Sequence, residues 1–157
     1  MKENKTIKGM FRVQLSDDID GKEVIVGDSG WNKNQVTDLG VQDYIIDWLV
    51  GDTAGGKSIT HIALGSGGTT AAAATSLGGE VVKRKAATTS IVASRTAQFT
   101  GQFASGDSFV TNTQNISNVG LFNTSAAGTV FAGNTYASSS CATNQNVNVT
   151  YQIRFPA

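Results

Sequence analysis

The stretch Val147-Asn148-Val149-Thr150-Tyr151-Gln152-Ile153-Arg154-Phe155 decides the fold class. Val147, Val149, Tyr151, Ile153 and Phe155 fall on one side of an extended chain, and Asn148, Thr150, Gln152 and Arg154 on the other. This period of two marks a strand with one face in a core and one in water. Working outward, the pattern recurs. Phe11, Val13 and Leu15 alternate with Arg12 and Gln14, and Val24 and Val26 repeat the alternation after SDDIDGK, which predicts a hairpin with Asp20-Gly21 at its turn. Ser58 to Leu64 reads as a buried strand, Gly65 to Thr70 as a loop, and Ile91 to Phe103 as one long strand. In that strand Ile91, Ala93, Ala97, Phe99 and Phe103 share a face that Arg95 interrupts, so Arg95 needs a partner or an exit to solvent. Phe109 to Thr113, Ile116 to Phe122 and Thr129 to Ala137 predict further strands, separated by turn residues at Ser105-Gly106-Asp107 and Asn123 to Gly128. One segment changes period. Val41, Ile45, Trp48 and Leu49 fall at helical spacing between Thr37, an N-cap residue, and Gly51, a stop.

Seven or eight short strands and one early helix predict an all-β, mainly antiparallel β-sandwich of jelly-roll or related topology. With 157 residues and no repeat of fixed period, the chain reads as a single domain, residues 1–157. The lone Cys141 cannot form an internal disulfide, and the N-terminal MKENKTIKGMFRVQL has no apolar run of signal-peptide length. No stretch approaches a membrane span, so neither secretion through a signal peptide nor a membrane partner is expected.

Charge divides the chain. Its 12 basic and 12 acidic residues balance, which gives no basic surplus for a nucleic-acid backbone, and no nucleic acid is expected as partner. After Lys85 only Arg95, Asp107 and Arg154 are charged, and Ser, Thr, Asn, Gln and Gly keep that half in water. So few titratable groups argue against an enzyme or a cofactor and for a structural or binding protein.

Several local motifs bear on this reading. Gly51 to Ser58, GDTAGGKS, fits the P-loop expression GxxxxGK[ST], but that loop needs a strand before it and a helix after it, whereas here the order is inverted. A Gly-rich connection is the simpler reading. His61 and Cys141 are the only residues able to form a Cys-His pair, and nothing in the sequence around Cys141, read as a loop residue, lowers a thiol pKa. Asp17, Asp18 and Asp20 lack the spacing and closing Glu of a calcium loop. Lys83-Arg84-Lys85 reads as a solvated strand end, or as a contact with an acidic neighbour. Asn4, Asn115, Asn123 and Asn148 begin N-x-[ST] triplets that mean little without secretion.

In combination, NQVTDLGVQDYIIDWLVG, ITHIALGSGGTTAAAATSLGGEVVKRK, FTGQFASGD, ISNVGLFNTSAAGTVFAGNTYAS and VNVTYQIRF resemble a family of small virion proteins of tailed bacteriophages. In that family a helix of the form N-x-[IV]-T-x-x-G-L precedes I-T-x-[IV]-A-[LV]-G-[ST]-G-T-T-A, an x-x-x-G-L-F-N segment and a last alternating strand. The resemblance runs from about Asn34 to Phe155. Val41 departs from a frequent Leu, and the Ser-rich loop Ser138 to Asn146 is longer. The resemblance implies no catalytic residues. It implies a virion protein assembled in the host cytoplasm, either a capsid decoration (cement) protein bound to the major capsid protein or another virion protein, or a tail or head-fibre component that meets a host surface or glycan. Symmetric oligomers, a trimer first, are expected to use buried aromatics such as Phe122, Phe131 and Tyr136. The charged N-terminal region, with residues 1–9 as a docking arm, is expected to bind the partner through Lys2, Lys5, Lys8, Phe11 and Arg12, leaving the neutral half outward. For a glycan, Trp31 and Tyr136 are the candidate stacking residues.

Overall fold

β1 (Lys8–Ile19) and β11 (Asn146–Arg154) lie antiparallel, in register from Lys8 opposite Arg154 to Ser16 opposite Asn146. In the computed structural model, which describes residues 7–51, 57–81 and 83–156, this pairing joins the first and last strands. β11 pairs onward with β8 (Thr96–Phe103), and β8 with β7 (Thr88–Ala93). On the other side of β1 lie β2 (Lys22–Asp28) and the short β3 (Asn32–Lys33), so the first sheet runs β2-β1-β11-β8-β7 with β3 beside β1. The second sheet is built, in order, from β4 (Gln35–Val36), β10 (Val130–Cys141), β9 (Gln114–Phe122), β5 (His61–Gly65) and β6 (Lys85–Ala86). Every pairing between these strands is antiparallel, and the all-β sandwich is as the alternation predicts.

Register sets the layers. Phe11, Tyr151 and Phe99 stand opposite one another across β1, β11 and β8, and Leu15, Val147 and Phe103 form a parallel row. Phe11 stacks on Tyr151 with ring centroids 5.6 Å apart and meets Tyr136 of the second sheet edge-on at 6.0 Å. The opposite face of the same strands carries Gln98, Thr100 and Gln102 beside Gln152, Thr150 and Asn148. One apolar cluster fills the space between the sheets. Ile62, Leu64, Ile116, Val119, Leu121 and Phe131 supply its second-sheet side.

The two-residue turn Asp20-Gly21 has both residues at positive φ, 55° and 75°, the mirror-image turn whose twist suits a tight hairpin. Gly21 N–H donates to Asp18 Oδ1 at 2.9 Å, so the acidic cluster serves the turn. The helix, here α1 (residues 38–49), also starts where expected: Thr37 Oγ1 accepts from Gly40 N–H at 2.9 Å and donates to Val130 O at 2.6 Å. Its middle turn, Gln42–Ile46, is π-helical, which rotates the buried face away from the expected one. Gly40 and Tyr44 face the sandwich, while Trp48 is half-exposed and Leu49 and Val50 are 76% and 73% exposed.

Three sequence expectations are corrected. Ile91 to Phe103 is not one strand but the hairpin β7–β8, with Ser94-Arg95 as its turn and Arg95 at φ 67°. Arg95 therefore leaves the apolar face altogether and donates to Pro156 O at 3.2 Å. Phe109 to Thr113 forms no strand, although Phe109 is buried against Phe103 at 5.4 Å between centroids. β10 runs on to Cys141, so that residue lies buried in a strand rather than in a Ser-rich loop.

A β-carbon on Gly40 would lie 2.2 Å from Phe131 O, a backbone atom that cannot rotate aside. Gly40→Ala is expected to destabilise the protein by about 2–3 kcal/mol, the cost of overpacking a rigid contact. Gly40→Ala should lower the urea midpoint, with a smaller loss for Gly21→Ala, since nothing lies within 4 Å of a β-carbon there.

Candidate interaction surfaces

The residues expected to meet a partner separate by burial. Phe11, Phe122, Phe131 and Tyr136 are core side chains with at most 9% exposure, and this corrects their assignment to an interface. Phe11, Phe131 and Tyr136 hold the two sheets together, while Phe122 packs with Val130 and Leu77 in a smaller cluster. Tyr136 is likewise unable to stack on a glycan, whereas Trp31 is half-exposed between β2 and β3. Lys8 and Arg12 stand at the surface of β1; Lys2 and Lys5 lie outside the described residues. Lys8 and Gly9 belong to β1, so an arm beginning at Met1 ends before them.

Nor do the charged and neutral halves occupy separate ends. β1 is an inner strand of the first sheet and β5 of the second, and each pairs on one side with a strand from the charge-poor half, β11 and β9. Part of the charge is spent within the fold, in four ion pairs among the described residues. Arg84 is almost fully buried: its guanidinium forks onto the Glu80 carboxylate, donates to Thr124 O and Ala127 O, and lies 3.5 Å from the centre of the Phe122 ring. Its neighbours point the other way, Lys85 to Asp107 Oδ2 at 2.7 Å and Lys83 to Asp107 O at 2.8 Å. The basic run is thus a set of internal clasps, not a solvated strand end.

Lys57, the residue that a P-loop would aim at phosphate, pairs with Asp43 and donates to Thr129 Oγ1 at 2.8 Å. Asp52 to Gly56 lie outside the described residues, but the elements flanking them are a helix and then a strand, as the inverted reading predicts. His61 pairs across from Phe122 and Cys141 across from Gln114, at the two ends of β9. At a strand rise of about 3.3 Å per residue, that is about 25 Å. Burial also pushes the Cys141 thiol up to about 11, away from the thiolate a nucleophile needs.

Glu23 reaches over the first sheet and binds three strands. Its Oε1 accepts from Ser16 Oγ at 2.5 Å, Asn148 Nδ2 at 2.7 Å and Gln102 Nε2 at 3.1 Å. These bonds, Ser16 foremost, hold its carboxyl below the usual range; Arg12 does the same for Asp28, and Lys85 for Asp107.

What remains open is apolar. β2 and β7, the two edges of the first sheet, are exposed on both faces: Val24, Ile25 and Val26 on one, Ile91 and Val92 on the other, with Ile91 at 86%. Such edges invite a further strand. Leu39, Ile46, Leu49 and Val50 add exposed apolar surface on α1. Between α1 and the first sheet lies a groove of about 330 Å³, walled by Ile45, Ile59, Phe99, Phe131 and Ile153 and rimmed by Trp48 and Phe155. Comparison with family models, curated proteins and solved structures finds no match.

Arg84→Ala leaves Glu80 without its fork partner and strips a ring face, a change expected to cost about 3 kcal/mol. Measured by urea unfolding, Arg84→Lys should recover only part of that loss, because an ammonium cannot fork. The three depressed carboxyls add stability that is complete above their unfolded value of about 4 and is lost as pH falls through their lower folded values. Stability measured against pH should therefore hold down to about pH 4 and fall below it, with a shallower acid limb in Glu23→Gln.

Proposed function

We propose that this chain is a virion structural protein of a tailed bacteriophage, a capsid decoration (cement) protein that stabilises the head by binding capsid subunits. The observation that carries this reading is the exposed apolar surface on β2, β7 and α1 of a protein otherwise clad in amides and hydroxyls. A monomer that works alone in water rarely shows so much. Surfaces of this kind suit a clamp that acts by binding energy. The phage resemblance of residues 34–155 supports a virion setting, assembled in the host cytoplasm, with the major capsid protein as the proposed first partner and a trimer as the proposed first oligomer.

One feature favours a tail or head-fibre role instead. The outer face of the β8–β11 pair carries the amides and hydroxyls of Gln98, Thr100, Gln102, Asn148, Thr150 and Gln152, with Glu23 across its hairpin end, a surface suited to a host surface or glycan, and Trp31 is the exposed aromatic.

Quantitative mass spectrometry of purified particles separates the two. Hundreds of copies per particle are expected for decoration, a handful would mean a tail position, and none would overturn both. Removing Met1 to Thr6, which spares β1, is expected to reduce occupancy on particles while leaving the purified chain folded.

A further inference from the structure

The outer face of the first sheet is indented. Thr88, Thr100 and Thr150 stand in one row across β7, β8 and β11, and Gln102 and Asn148 form the next row toward the β1–β2 hairpin. The two rows are two residues apart along each strand, about 7 Å at a rise of about 3.4 Å per residue. Between them lies a trough of about 330 Å³, with Gly101 and Val149 at its base. Glu23 accounts for the opening. Its Oε1 accepts from Asn148 Nδ2 at 2.7 Å and from Gln102 Nε2 at 3.1 Å, which draws both amides toward the hairpin and away from the threonines. Each amide thus commits an N–H to Glu23 and keeps its carbonyl oxygen as an acceptor. Among the described residues, neither these two carbonyl oxygens nor the hydroxyls of Thr88, Thr100 and Thr150 have a protein partner. The trough lining is uncharged. Glu23 stands beside its amide row, and Arg12, opposite Thr150 in the threonine row, is held by Asp28.

We infer that this trough binds a neutral glycan, with sugar hydroxyls donating to the carbonyl oxygens of Gln102 and Asn148 and accepting from the hydroxyls of Thr100 and Thr150. The inference rests on the host-surface reading above, gives it a ligand class and a place, and separates that place from Trp31. A polyol suits the site because each of its hydroxyls can both donate and accept, which matches fixed acceptors on one wall and rotatable hydroxyls on the other. An anionic sugar does not suit it. The Glu23 carboxylate repels it, and the one cation in the threonine row is already paired, so sialylated or sulfated glycans are rejected by charge. The trough is open and its lining holds no aromatic, so a single site is weak, with Kd in the millimolar range. Several copies on one surface multiply that affinity without any new contact.

Titration of the isotope-labelled full chain, followed by amide NMR, tests it with a panel of neutral hexose and N-acetylhexosamine oligosaccharides, lactose among them, and with sialyllactose. At least one neutral sugar is expected to give saturable shifts at the backbone amides of Thr100 and Thr150 and the side-chain amides of Gln102 and Asn148, and sialyllactose none. Thr100→Val with Thr150→Val keeps the shape of the wall and removes its hydroxyls. That variant should weaken the binding at least about tenfold while the rest of its spectrum matches the wild type. No saturable shift with any neutral sugar, equal binding of sialyllactose, or undiminished binding by the double variant would each overturn the inference. Shifts that centre on Trp31 and vanish in Trp31→Ala would overturn the trough as well, yet leave a host-contact role standing. The copy number per particle judges that role separately.

Discussion

Everything in the first sheet depends on the ladder between β1 and β11. It places the earliest strand beside the last, aligns Phe11 with Tyr151 and Phe99, and gives the second sheet an aromatic surface to close on. Tyr151 is fully buried, so its hydroxyl requires a partner inside the protein. Asn34 Nδ2 meets it at 2.8 Å, which also fixes the short segment leading from β3 to β4. One ladder thus sets the core, the crossing between sheets and the polar outer face.

The charge distribution follows from that architecture. A sandwich whose inner strands come from both halves of the sequence cannot confine charge to one end merely because the sequence does. Arg84, Lys85, Glu80 and Asp107 are consumed in fastening the 80s segment to its neighbours, and Glu23 in tying the hairpin down across β1, β11 and β8. The charge left at the margins is acidic on the hairpin and basic at the opposite end of the sheet.

The elements with strong local signals were legible in the sequence. Asp20-Gly21 announces its turn because both residues tolerate positive φ, and Thr37 announces the helix because its hydroxyl can cap. The β7–β8 turn was hidden for a physical reason. Ser94-Arg95 contains no Gly, Asn or Asp, and the register shift between Ile91 and Ala93 keeps Ile91 opposite Ala97, so the alternation runs through the turn unbroken. The helix was legible in extent but not in orientation, because its π-helical middle turn breaks the 3.6-residue count on which a face is drawn. The aromatics expected at an interface lie in the core, and the sequence does not separate the two because an aromatic that faces a core and one that faces a partner have the same local pattern. Only the closing of the second sheet, which carries Tyr136, over Phe11 distinguishes them.

The pairing of first and last strands also has a temporal side. While the chain emerges from the ribosome, β1 and β2 can form their hairpin at once, but the inner edge of β1 waits for β11, which is made last. Closing a contact of such sequence separation is slow compared with a local hairpin. Until then Phe11 and Val13 have no complete sheet around them, and the nascent protein presents adhesive edges to its own copies. Misassembly during that wait would draw on the very strands that the finished fold pairs.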